Sequence, residues 1–210
     1  MSSIDSRRIV LGDWSRLVRD PLDFLRLSFA VAAVVYAVSG LGGAANLAVA
    51  AVAVIAVRFL NLPQPYDLAF IACMWLTGWG EALRLYDKFA HYDVLVHFFV
   101  PLLGAPIVYI ALARLDVLSE PREHEERHHY FGLFLVTLAF GLALGAAWEI
   151  AEWSSDHVFG SKLQLGESDT IGDLVADGCG AAFGGALLVV WAAFGWGTVR
   201  RTPADPVGGR

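Results

Sequence analysis

Four groups of ionisable side chains in this 210-residue chain carry the types and spacing that could do chemistry. Glu81, Arg84, Asp87 and Lys88 close one apolar run, and His91, Asp93 and His97 open the next. Glu149 and Glu152, followed by Asp156 and His157, close another, while Asp169, Asp173 and Asp177 open the last. At 3.6 residues per turn, Asp93 sits over His97, Glu149 shares a face with Glu152 and Asp156, and the three aspartates form one stripe. Carboxylates mixed with imidazole suit a hard or borderline divalent cation such as Mg, Mn, Zn or Fe. An open coordination position on such an ion would activate water or clamp a phosphate. The expected ligands are His91, Asp93, His97, Glu149, Glu152, Asp169, Asp173 and Asp177. In a hydrolytic or transfer reaction His97 or Glu149 would serve as general base, and no separate organic cofactor is called for.

The elements that must hold these groups are membrane spans. The sequence is 57% hydrophobic and only 17% charged, with a positive mean hydropathy, so lipid is the expected solvent. Six stretches approach the roughly 20 apolar residues that a bilayer requires. They are 22–40, 44–60, 66–85, 92–112, 130–153 and 171–199. The expected fold class is therefore an all-α, polytopic transmembrane bundle of about six helices. Residues 1–21 form a cytoplasmic N-terminal segment, 22–199 the membrane domain and 200–210 a cytoplasmic tail. Within the first segment Val10, Leu11, Trp14, Leu17 and Val18 recur at helical spacing against Arg7, Arg8, Arg16 and Arg19. That pattern suits a short interfacial amphipathic helix, and equally a solvated tail.

Orientation follows from the basic residues, which are retained in the cytoplasm. With the N-terminus inside, twelve arginines lie on the inner side and only Arg84, Lys88 and Lys162 on the outer. Both termini are then cytoplasmic, and the acidic groups gather at the outer face. The net charge of −6 and the lack of a basic patch interleaved with aromatics argue against nucleic acid as a partner. Cys73 and Cys179 fall inside apolar stretches, so neither a structural disulfide nor a cysteine zinc site is expected.

Burial cost makes the acidic groups informative. Asp177 lies roughly 12 Å further along its helix than Asp169, which takes it into the hydrocarbon layer. Ionisable groups at that depth turn inward and pair. Five carboxylates brought together must be protonated in part, paired with Arg84 or Lys88, or bridged by a cation. Blander readings stand beside this one. Asp169 and Thr170 could cap the last helix, and Asp87, Lys88 and His91 could be a loop ion pair. His124, His128 and His129 include a metal-like spacing but sit among Glu and Arg, as in a solvated linker. Gly141-x-x-x-Gly145 and Gly180-x-x-x-Gly184 are faces for close helix packing, and against each other they would bring Glu149 beside Asp173 or Asp177.

An ordered set of short motifs runs through these residues: Tyr86-Asp87-Lys88-x-x-His91, Glu149-x-x-Glu152-Trp153, Asp169-Thr170-x-x-Asp173 and Gly180-Ala181-x-x-Gly184. Over residues 60–195 the chain resembles the YjdF-like bacterial inner-membrane family and, more distantly, VanZ-like proteins. The resemblance implies an inner-membrane location and a shared polar site, without implying a reaction. This chain departs from the VanZ-like pattern at Asp177, where Asn is expected, and in having His97 after His91.

The functional expectation is an outer-face cation pocket, possible in a metal-dependent membrane hydrolase or transferase, acting on a lipid-linked or envelope substrate. Its rivals are a proton- or ion-coupled transporter, in which the same acids titrate, and a non-catalytic assembly subunit.

Overall fold

The computed structural model describes residues 21–60, 62–122, 127–160, 163 and 166–194. The expected interfacial helix of residues 1–20, His124, Lys162, the end of the sixth span beyond Phe194 and the tail lie outside the described residues. Every regular element among the described residues is helical, which agrees with the all-α reading. The chain divides into two compact units.

The first unit contains the described residues of 21–84 and 110–120. Helix α1, Leu22–Val38, begins directly after Pro21, whose fixed φ suits a helix start. It runs into a turn in which Gly40 and Gly43 take positive φ values of 66° and 82°. Gly43 is doubly constrained, because a Cβ there would lie 2.6 Å from the Ala82 backbone. Helix α2, Ala44–Val57, follows and passes into a short 3-10 turn, Arg58–Leu60. Pro63 then precedes helix α3, Gln64–Met74, with a second proline in its first turn. A π turn, Trp75–Trp79, and the short helix Gly80–Ala82 extend it. The apolar core joins Leu22, Phe29, Ala32 and Ala33 to Leu47, Ala50, Ala51, Val54 and Ile71.

The second unit contains residues 85–109 and the described residues of 121–194. After the short helix Leu85–Lys88 come three long helices: α4, Tyr92–Arg114, α5, Arg127–Phe159, and α6, Glu167–Phe194. Helix α4 tolerates Pro101 and Pro106 internally, as membrane helices do where neighbours satisfy the freed carbonyls. These three are long and apolar enough to cross a membrane, and Ala44–Leu60 is a shorter apolar helix. The first expected span is held to 17 residues between Pro21 and the glycine turn, and the third is interrupted by its π turn.

Burial inverts the pattern of a soluble protein. Val38, Val49, Phe131, Val175, Phe183 and Phe194 are exposed, whereas Arg26, Arg58, Asp67, His97, Glu149, Asp173 and Asp177 are buried. Large apolar side chains facing outward and charges facing inward mean a solvent of hydrocarbon.

Candidate metal centre

The helices of the second unit bring their ionisable stripes to one place. Glycine sets the distance. A Cβ at Gly145 on α5 would collide with the Asp177 carboxylate of α6, and one at Gly141 would collide with Ala181. On α6 itself, a Cβ at Gly180 or Gly184 would strike the Phe98 and Leu102 carbonyls of α4. The two small-residue motifs therefore do not face each other as expected from sequence. Gly141 and Gly145 receive α6, while Gly180 and Gly184 receive α4, because the two faces point in different directions around their helix axes. Helix α6 is thus in close contact on two sides.

His97 stands at the centre, 3% exposed. Its Nδ1 lies 3.2 Å from Asp177 Oδ1 and 3.3 Å from Oδ2. Its Nε2 faces the other way, 3.7 Å from Glu149 Oε1 and 3.8 Å from Asp93 Oδ1. The ring meets Trp148 edge-on with centroids 6.1 Å apart. Trp148 Nε1 in turn donates a 2.8 Å hydrogen bond to Glu152 Oε1. Glu149, Asp173 and Asp177 are buried, and Asp93, Glu152 and Asp169 are half-buried.

Three sets of donors lie within 4.8 Å of one another: Asp93, His97 and Glu152; His97, Glu149 and Asp173; and Asp93, Asp169 and Asp173. Donors on one cation stand about 3–4 Å apart when bonds are about 2.1 Å, so each set is geometrically able to hold a metal. Seven of the eight expected ligands thus come together, with Asp177 holding His97 from behind. The eighth, His91, is exposed in the turn before α4 and belongs to none of the three sets. One residue before the helix start, it sits outside the i, i+4 pair of Asp93 and His97.

The remaining sequence candidates are placed elsewhere. Asp169 is the third residue of α6 and not its cap, because the helix already starts at Glu167. Asp156 accepts a 2.9 Å hydrogen bond from the Leu163 backbone, and His157 stacks on Trp153 with centroids 4.1 Å apart. His129 Nε2 lies 3.0 Å from the Pro121 carbonyl. Asp87 and Lys88 are exposed on their short helix.

Sequence reasoning missed two features. Trp148 is one turn before Glu152, and that i, i+4 spacing was the available signal. In the first unit, Arg26 pairs with Asp67 and with Asp23, the latter at 2.6 Å, and its Nε donates to the Val54 carbonyl at 3.1 Å. Arg58 Nε lies 3.1 Å from Asp23. Two guanidinium groups thus face two carboxylates. In α4, α5 and α6 the only Lys or Arg residues are Arg114 and Arg127, each at the end of its helix away from the cluster.

A chain of long apolar helices with charge buried inside and hydrocarbon side chains outside is a helical membrane protein, here one with a buried acid–imidazole cluster. It belongs to the family described as "Predicted membrane protein (DUF2238)", whose model matches residues 23–194. The YjdF-like resemblance is consistent with that family. No curated protein and no solved structure matches the chain.

Proposed function

We propose that the chain is a multi-pass protein of the bacterial inner membrane whose acid–imidazole cluster binds a divalent cation at the outer membrane face. Through that ion it acts on a lipid-linked or envelope substrate. In this reading there are six spans, both termini are cytoplasmic and membrane lipid surrounds the bundle. The arginine bias between the two sides supports the orientation, and the VanZ-like resemblance supports the envelope setting.

The observation that carries the reading is the surroundings of His97. Ionised Asp177 can only accept a hydrogen bond, so the imidazole proton belongs on Nδ1. Nε2 is buried and without a hydrogen-bond partner, and it faces the oxygens of Glu149 and Asp93. An imidazole nitrogen set among carboxylates calls for positive charge, from a proton or from a metal ion. A second proton would supply one charge against six carboxylates. A divalent ion supplies two and can take Glu149 and Asp173 at the same time. The Asp177–His97 contact is also the carboxylate–histidine arrangement that fixes an imidazole for metal binding. On this geometry His97 serves as a ligand in preference to a base. An open coordination position would hold a water or a phosphate oxygen of the substrate.

Metal content tests the proposal. Full-length protein purified in detergent, stripped with chelator and dialysed against Mn or Zn, should retain metal at near-stoichiometric level. The Asp173→Asn variant, checked for fold by circular dichroism and gel filtration, should lose it. Wild-type protein that holds no metal after dialysis overturns the reading.

A further inference from the structure

We infer that the cluster is built for two divalent cations bridged by Asp173, an inner ion on His97 and Glu149 and an outer ion on Asp93 and Asp169. This rests on the cation reading above and extends it. Of the three donor sets, one consists of His97, Glu149 and Asp173, and another of Asp93, Asp169 and Asp173. They share a single residue. The third set, Asp93, His97 and Glu152, takes one ligand from each of the others and is an alternative position, not an additional one.

Depth separates the two ions. Asp169, Asp173 and Asp177 rise along α6 by about 6 Å per step, and Asp93 and His97 rise by the same step along α4. The outer rung is Asp93 and Asp169, both half-buried, and the inner rung is His97 and Glu149, both buried. Asp173 lies between the rungs. It is 2% exposed and accepts no hydrogen bond among the described residues, so both of its oxygens remain for ligation. A carboxylate that gives one oxygen to each ion suits the separation of about 3.5–4 Å found in two-metal sites. The buried, unpartnered Nε2 of His97 points into the same space from the inner side.

Charge counts the ions independently. Asp93, Glu149, Asp169 and Asp173 carry four negative charges when ionised, and two divalent cations carry four positive. Glu152 and Asp177 stand outside that sum, each facing an N–H, from Trp148 and His97 respectively. One divalent ion would match only two of those four charges, and close carboxylates at membrane depth are unfavourable.

Manganese reports both number and proximity. The full-length chain in detergent, titrated with Mn, should bind two ions per chain by mass spectrometry and show an exchange-coupled electron paramagnetic resonance spectrum. Asp169→Asn should reduce binding to one ion per chain with an uncoupled six-line spectrum, and Asp93→Asn provides the same test should that variant not fold. Asp173→Asn, which removes the ligand shared by both sets, should lose the bound metal and with it the coupled spectrum. Saturation of the wild type at one uncoupled ion overturns the pair and leaves the single-cation reading standing. No binding at all overturns both.

Discussion

The carboxylate of Asp177 on α6 occupies the space that a side chain at Gly145 on α5 would need. This contact fixes the depth and direction of Asp177, and through the 3.2 Å contact to Nδ1 it fixes the ring of His97. Packing and chemistry are coupled at one glycine, which makes the coupling measurable.

Gly145→Ala should therefore lower stability and metal binding together. The added methyl cannot be accommodated without moving Asp177, and overpacking of this kind costs about 1–3 kcal/mol. Gly132→Ala on the same helix meets nothing within 4 Å and should leave both unchanged or raise stability slightly. Thermal unfolding in detergent and Mn titration of the two variants make the comparison. Equal behaviour would mean that the Gly145 contact does not position the site.

Asp177 should matter for orientation more than for its charge. Asp177→Ala removes the acceptor for the His97 Nδ1 proton, and loss of such a supporting partner lowers metal affinity by about 10–100-fold. Asp177→Asn keeps an acceptor oxygen and should lose less. Competition titration with a chelating dye ranks the wild type, Asn and Ala proteins. An Asn variant as weak as Ala would assign the role to charge instead.

The buried ion-pair network of the first unit should behave as a structural lock. Arg26→Met deprives both Asp23 and Asp67 of a guanidinium in a buried setting. Breaking one side of a buried pair costs about 3–5 kcal/mol. Adding Asp67→Leu to Arg26→Met should recover part of that loss, giving a non-additive double-mutant cycle by thermal unfolding. Additive losses would show that the two side chains are not coupled energetically.

The topology has its own test. A fluorescent protein fused after Arg210 should fluoresce in the cytoplasm, and alkaline phosphatase fused there should be inactive. Phosphatase inserted within residues 86–90 should be active. The reverse pattern would invert the orientation and move the acidic cluster to the inner face.

Much of the candidate site was legible in the sequence, and the reason is energetic. Aspartate, glutamate and histidine within otherwise apolar runs are too costly to leave facing lipid, so Asp93, His97, Glu149, Glu152, Asp169, Asp173 and Asp177 had to turn toward one another. Their i, i+4 spacing gave the stripes. Charges at helix ends were harder to read. Arg26 and Arg58 look like ordinary cytoplasmic flanks in sequence, and their burial against Asp23 and Asp67 depends on α1, α2 and α3 packing together.

By itself, then, the sequence determined the all-helical class, the lipid solvent and the set of side chains that could not stand apart, because composition and periodicity act locally along each helix. Only tertiary structure decided how each helix is rotated about its axis. That rotation set Gly145 against Asp177 and Gly180 against Phe98, left His91 outside, and aimed the free nitrogen of His97 at Glu149 and Asp93. Rotation is fixed by the sum of contacts with neighbouring helices, and no single helix carries that information.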